Sequence, residues 1–385
     1  MNKNHKMISE LIEITSRLIS FPTVSPDGNE YLCKEFIIDL FRKARLGVSI
    51  KAKIPKRCNI LGEYGTSKKS LLIACHLDTV PGGDGWKTNP FKSVVKNGKI
   101  YGRGSIDDKG PMAVAYCAVK QFIKDHPTFN GKIILAAVAD EEADNEYGIK
   151  FLLKNGLKAQ SALITDGGYL NSFDYGEKGC IKLKIESFGK QEHSAIQENG
   201  NNAIENLINL LCQIKKELKF DSYDKRFSRL NVNFSLINGG DIPNTIPAKA
   251  WVQMDIRYTG GVSNLNIYKK INLIINSSKG KFRVSTKYET FPHIVEDKFL
   301  INAFEQASRR SGITMKRITL AGNSIAKELT QAGIPSIAHY PMNKITAHEP
   351  NEYIQITSMA QTQKLYYNFL KIYFNVKNEM GTTLQ

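Results

Sequence analysis

The chain has 385 residues, of which 42% are hydrophobic and 23% charged, and its formal net charge is +16. Such a length is about twice that of a usual single domain, so it predicts two domains or one large domain carrying an inserted module. The composition excludes disordered, collagen-like and disulfide-stapled classes, and no segment approaches the roughly 18 apolar residues that a membrane helix needs.

Residues 7–21 are apolar but broken by Glu10, Glu13 and Arg17 at helical intervals, which reads as an amphipathic helix and not as a signal sequence. Ile8, Leu11, Ile12, Leu18 and Ile19 form its stripe, which Thr15 interrupts, and residues 31–43 give a second stripe. Short apolar runs follow at 70–75, 132–139, 162–165 and 335–338, with helical patterns at 111–124 and 147–154 between them. That alternation predicts a mixed α/β sheet.

From residue 180 to about 290 the pattern changes. Strand 180–188, helix 203–218, strands near 230–237 and 248–258, helix 264–275 and strand 282–288 follow β-α-β-β-α-β order, the split β-α-β module. Because α/β signals resume afterwards, the module is expected to be an insertion. The expected boundaries are 1–178 with 291–385 for a discontinuous catalytic domain and 179–290 for the inserted one.

The cysteines, Cys33, Cys58, Cys75, Cys117, Cys180 and Cys212, form no C-x-x-C pair, so they read as reduced, small core residues of a cytoplasmic protein. Lysines are spread from Lys3 to Lys377, with no basic run interleaved with aromatics. The positive charge therefore reads as a solvated surface, with no nucleic-acid or membrane partner expected.

Three apolar runs end in His76-Leu77-Asp78, Asp140-Glu141-Glu142 and Asp166-Gly167-Gly168, and open α/β sheets collect their sites at that edge. A glycine-rich turn before the third helix carries Asp107 and Asp108, and a polar turn before the last helix carries His348. In a His-x-Asp at a strand end, the acid can accept from the second imidazole nitrogen and fix the tautomer of a ligating histidine. Glu141 and Glu142 would point to opposite sides of an extended backbone, one toward a metal and its neighbour toward substrate and water. Each motif alone has a plainer reading, since paired acids usually sit at a solvated helix start. Together, two histidines and several acids at separate edge positions supply the donors that borderline divalent metals take, and a bridging carboxylate lets two ions share a site.

The ordered set His76-x-Asp78, Gly102-Arg103-Gly104-x-x-Asp107-x-Lys109-Gly110, Asp140-Glu141-Glu142, Asp166, Gly189-x-x-x-His193-Ser194, Asn244-x-Ile246-Pro247, Asp255-Ile256-Arg257 and His348-x-Pro350-Asn351-Glu352 resembles the M20 metallopeptidase family. Its branches include desuccinylases, deacetylases, aminoacylases, carboxypeptidases and di- and tripeptidases. The resemblance implies a mixed-sheet, zinc-exopeptidase-like catalytic domain with an inserted ferredoxin-like lid that also dimerises. It implies two divalent ions, zinc foremost with cobalt or manganese as alternatives. His76 and Asp166 would hold one ion, Glu142 and His348 the other, with Asp107 bridging and Asp78 orienting His76.

By the same resemblance Glu141 is the general base, taking a proton from the water that attacks an amide carbonyl. His193, by itself an ordinary surface-loop residue, would reach into the partner subunit's site of a homodimer and stabilise the developing oxyanion. Asn244 and Arg257 would hold the substrate carboxylate, for which a guanidinium fork is suited. The implied substrate is a small N-acyl amino acid or short peptide with a free carboxylate. The alternatives are a di- or aminopeptidase of the same family, or a metal-dependent binding protein without turnover.

Three departures count against a desuccinylase. The chain has Asp166 where desuccinylases and many deacetylases carry Glu, Glu177-Lys178-Gly179 in place of an arginine pair, and Ile325 where the family's Gly-Thr-Ser-Asp-Ala loop carries Asp. His5, His126, His293 and His339 read as structural or surface residues.

Overall fold

The computed structural model describes residues 3–376, so the outermost parts of the expected catalytic domain, residues 1–2 and 377–385 with Lys377, lie outside the described residues. The chain divides into two compact units. One comprises Met1–Tyr175, Val295–Ile318 and Asn323–Gln385, and the other Gly176–Ile294 with Thr319–Gly322.

In chain order the first unit begins with helices α1 (Lys3–Ile19) and α2 (Lys34–Lys43), strands β1 (Gly47–Ile54), β2 (Arg57–Gly65) and β3 (Ser70–His76), and helix α3 (Lys109–Asp125). Strand β4 (Lys132–Val138), helix α4 (Ile149–Lys154) and strands β5 (Ser161–Ile164) and β6 (Ser172–Glu177) follow. The second unit is β7 (Gly179–Phe188), α5 (Ala203–Glu217), β8 (Asn231–Gly239), β9 (Lys249–Tyr258), α6 (Asn264–Ser277) and β10 (Lys281–Thr290). The chain then returns to the first unit with α7 (Lys298–Ser311), α8 (Ile325–Gln331), β11 (Ser336–Ala338) and α9 (Ile356–Tyr373).

The sheet of the first unit runs β1-β2-β4-β3-β5-β11-β6. Its centre, β4-β3-β5-β11, is parallel, and β2 joins it antiparallel. Strands β3 and β5 are buried throughout, as expected of parallel strands covered on both faces. Side-chain alternation sorts the residues. Leu71, Ile73, Cys75, Ile133, Leu135 and Ala137 pack with α1, α2, α3, α7 and α9, whereas Leu72, Ala74, Ile134, Ala136 and Val138 pack with α4 and α8. The parallel register sets His76 opposite Val138 and Ala74 opposite Ile164, so three strands release the chain at one edge.

The second unit is a four-stranded antiparallel sheet of order β8-β9-β7-β10, with α5 and α6 on one face. Ile181, Leu183 and Ile185 of β7 and Val252, Met254 and Ile256 of β9 alternate inward against Leu207, Leu210, Ile214, Ile267, Ile271 and Ile274. This is the split β-α-β arrangement that the sequence order predicts.

Several sequence readings are corrected. Residues 31–43 are not one helix but a short 3-10 turn, Glu30–Cys33, leading into α2. Thr15, by contrast, is fully buried, at the apolar position of the α1 stripe that its spacing gives it. Cys212 is exposed and so is no core residue, because it falls on the outer side of α5; the other five cysteines are buried. Among the described residues no helix is long and apolar enough to cross a membrane.

Candidate metal centre

The end of β3 places His76 in the core edge with its ring fully buried. Its Nε2 lies 3.0 Å from Asp107 Oδ1, and its Nδ1 contacts the backbone carbonyl of Asp78 at 2.9 Å. The expected tautomer-fixing partner is therefore the carbonyl and not the Asp78 carboxylate, which stands 3.7 Å from Nδ1. That carboxylate has other work: it accepts from Ser25 Oγ at 2.5 Å, Glu141 N at 3.0 Å and Glu142 N at 3.1 Å. The reason is a turn. Asp140 adopts φ 66°, so Glu141 and Glu142 leave β4 in a turn and not on an extended backbone, presenting their N–H groups to Asp78.

Asp107 uses both oxygens. Oδ1 faces His76 and accepts from the Tyr340 hydroxyl at 2.9 Å, while Oδ2 lies 3.2 Å from His348 Nε2. His348 Nε2 also meets Glu142 Oε1 at 3.1 Å. Asp166, two residues beyond β5, brings a carboxylate oxygen within 4.8 Å of donor atoms on His76 and Glu141. Two donor sets converge with ligand atoms within 4.8 Å of one another, His76-Asp107-Glu142 and His76-Glu141-Asp166. Glu141 is thus a member of a donor set as well as a candidate base, and its carboxylate has no hydrogen-bond partner among the described residues.

Sequence reasoning assigned no role to Tyr340, Glu352, Arg103 or Asp108. Tyr340 lies two residues past β11, at the same sheet edge, and that position was its only sequence signal. Glu352 accepts from Ile106 N at 2.9 Å and Asp107 N at 3.3 Å, and it pairs with the buried Arg103 at 2.7 Å, so it fixes the loop that presents Asp107. Asp108 accepts from His76 N at 3.0 Å and Thr165 Oγ1 at 2.5 Å, tying the ends of β3 and β5 together.

The electrostatics are those of crowded anions. Burial, then the charge of Asp107, pushes Asp166 up to about 7. Burial, then the Asp166 charge, raises Glu141 well above the carboxylate range, and burial also raises Glu142. Burial alone would raise Asp107 as well, but the His348 and His76 imidazoles outweigh it and hold that carboxyl far below its ordinary value. Hydrogen bonds to Asp107 and then Glu142 raise His348 to about 10. Four carboxylates and two imidazoles thus compete for protons in a space where divalent cations would relieve the repulsion. The nitrogen and oxygen donor set fits the expected metal chemistry.

The other expected site residues belong to the second unit. His193 is exposed on a two-residue strand, paired with Thr245, and Asn244 lies beside it, its carbonyl accepting from Ser194 N at 3.0 Å. Arg257 on β9 turns its fork onto Asp255, two residues back on the same face, at 2.7 and 3.0 Å, and Nη1 donates to the Ala321 carbonyl at 3.2 Å. Ile325 is fully buried in the apolar cluster of α4 and α8.

Residues 72–372 match the model of peptidase family M20/M25/M40. The chain belongs to that family. Among curated relatives, a succinyl-diaminopimelate desuccinylase of Wolbachia pipientis is 28% identical, covering 96% of this chain and 94% of its own length. An uncharacterized metallohydrolase of Methanocaldococcus jannaschii is 29% identical over 95% of this chain and 100% of its own. An M20 family metallo-carboxypeptidase from Sulfolobus solfataricus superposes with a TM-score of 0.78 at 19% identity, covering 97% of this chain and 100% of that one. A Bacillus subtilis M20 peptidase described as dinuclear metal binding gives 0.70 at 13% identity, over 96% and 98%. This member of the M20 family is accordingly a metallohydrolase with a mixed α/β fold.

Proposed function

We propose that this M20 protein is a two-metal amide hydrolase that releases an amino acid from an N-acyl amino acid or a short peptide with a free carboxylate. The observation that carries the reading is Asp107, whose two oxygens each face one histidine, as a carboxylate spanning two ions must. His76 and Asp166 would hold one ion, and Glu142 and His348 the other. Two divalent ions, zinc foremost with cobalt or manganese as substitutes, would supply Lewis acidity, polarising the amide carbonyl and lowering the pKa of the attacking water toward about 7.

The chain's own groups do the rest. Glu141 takes the water's proton and returns it to the leaving amine; its burial raises its proton affinity, which favours the first of these transfers. Tyr340 and Glu352 keep Asp107 in place during those transfers.

In the same reading residues 179–290 form a lid and dimerisation domain. Ala195 N donates to His193 Nδ1 at 3.1 Å, so the neutral ring carries its proton on Nε2, the donor that would meet an oxyanion in the partner subunit of a homodimer. Asn244 and Arg257, the latter oriented by Asp255, would take the substrate carboxylate. Free cysteines throughout fit a cytoplasmic protein. The desuccinylase names among the relatives make an N-succinyl amino acid the first substrate to test, and the Asp166 and Lys178 departures make N-acetyl amino acids and dipeptides the next.

Glu141→Gln tests the reading. It should retain metal and lose turnover by about 10²- to 10⁴-fold, the usual span of general-base catalysis. Normal turnover in a metal-loaded variant would remove Glu141 from the mechanism.

A further inference from the structure

Behind the acid-bearing turn lies a buried cluster that the reaction above does not use. Arg57, the first residue of β2, is 2% exposed, and each nitrogen of its guanidinium has a hydrogen-bond partner. Nε donates to Glu30 Oε1 and Oε2 at 3.2 and 3.3 Å, and Nη2 to Glu30 Oε1 at 2.8 Å and Ser25 Oγ at 3.3 Å. Nη1 donates to the Pro26 carbonyl at 2.7 Å and pairs with Asp140 Oδ1 at 2.8 Å, while Asp78 Oδ2 stands 3.7 Å from Nη2. Glu30 and Asp78 are 0% exposed and Asp140 2%, so one cation faces three buried carboxylates. Gly28 closes the cluster from outside: at φ 75°, a Cβ there would meet Arg57 Cζ at 2.6 Å, so the loop lies on the fork only because this residue is glycine.

Two of those acids shape the turn that carries Glu141 and Glu142. Asp140 immediately precedes the pair and accepts from Tyr147 N at 2.9 Å, which closes the turn, and Asp78 accepts from the N–H of both glutamates. We propose that Arg57 is a positioning residue for the hydrolytic reaction, fixing Glu141 and Glu142 through Asp140 and Asp78. The inference rests on the two-metal reading above. A planar guanidinium suits the task because it reaches Glu30, Ser25, Pro26 and Asp140 at once, which the compact ammonium of lysine does not do.

The test compares the full-length wild type with Arg57→Met, Arg57→Lys and Asp140→Asn. Chelated protein is titrated with cobalt(II) by visible absorption, and kcat, KM and thermal midpoint are measured alongside. For Arg57→Met the cobalt affinity and kcat should each fall by about 10- to 100-fold, the usual loss when a ligand's supporting partner is removed, with KM within about twofold. Arg57→Lys should recover only part of that loss. A folded Arg57→Met whose midpoint drops while cobalt affinity and kcat stay at wild-type values would overturn the proposal, leaving Arg57 a purely structural residue. If Arg57→Met does not fold, Asp140→Asn, which leaves Glu30 on the guanidinium, must show the same loss, and wild-type values there overturn the proposal too. A wild-type protein that takes up no cobalt would instead sink the two-metal reading itself, an outcome separate from either variant result.

Discussion

Asp78 hydrogen-bonds the N–H groups of Glu141 and Glu142 while its own carbonyl receives His76 Nδ1, so a single residue aligns a candidate ligand and a candidate base. The His-x-Asp spacing makes the residue legible in the sequence, but the way it acts is not, because the turn at Asp140 depends on φ and not on residue type. Tyr340 was illegible for a different reason, and Glu352, though part of the motif after His348, gave no sign of its contact: they meet the Asp107 loop from 233 and 245 residues away. His339 shows the opposite case, a histidine whose plain structural reading holds. It is fully buried, its Nε2 lies 3.3 Å from the Leu170 carbonyl, and burial lowers its pKa to about 4. The unfolded chain binds a proton there below about 6.5 and the folded chain does not until about 4. Its contribution is therefore complete above pH 6.5 and is lost as the pH falls from 6.5 toward 4. Between pH 7 and pH 5 the wild type should lose about 2 kcal/mol more than His339→Gln. Urea denaturation at each pH measures this, and parallel profiles would contradict it.

At the scale of elements, strongly periodic segments were readable and weakly patterned ones were not. The six elements of the β-α-β-β-α-β module lie within a few residues of their expected positions, because one buried face per strand and helix leaves a clear period. Strand β1 was missed because it is exposed along most of its length, as edge strands are, and carries Lys51 and Lys53. Helix α7 was missed although Asp297 caps it, accepting from Leu300 N at 3.0 Å, and Gly312 ends it at φ 78°. Helix α9 ties this layer together: Phe369 is fully buried, with Phe304 and Tyr373 at ring distances of 5.2 and 5.7 Å. Phe369→Ala should cost about 3–5 kcal/mol of stability while leaving metal content intact, because its cavity opens among α7 and α9 and not at the strand ends. Chemical denaturation beside metal analysis checks both halves, and loss of metal from the folded variant would contradict this placement.

For the whole molecule, the division into two units follows from two separate apolar clusters, one built on the parallel sheet and one on the antiparallel sheet. The proposed reading uses both units: the first holds the donors and the second holds His193, Asn244 and Arg257. If His193 acts on a partner subunit, mixing His193→Ala with Glu141→Gln should restore up to about a quarter of wild-type activity, since a hybrid dimer has one site with both residues intact. No recovery after proven subunit exchange would remove the action in trans. The central claim is a metal-dependent amide hydrolase, and its most direct measurement is metal content together with turnover on N-succinyl amino acids, N-acetyl amino acids and dipeptides, before and after chelation. About two divalent ions per chain are expected, with amino-acid release from one substrate class abolished by the chelator and restored by zinc, cobalt or manganese. Two bound ions with no turnover on any of the three classes, or turnover that survives complete metal removal, would contradict it.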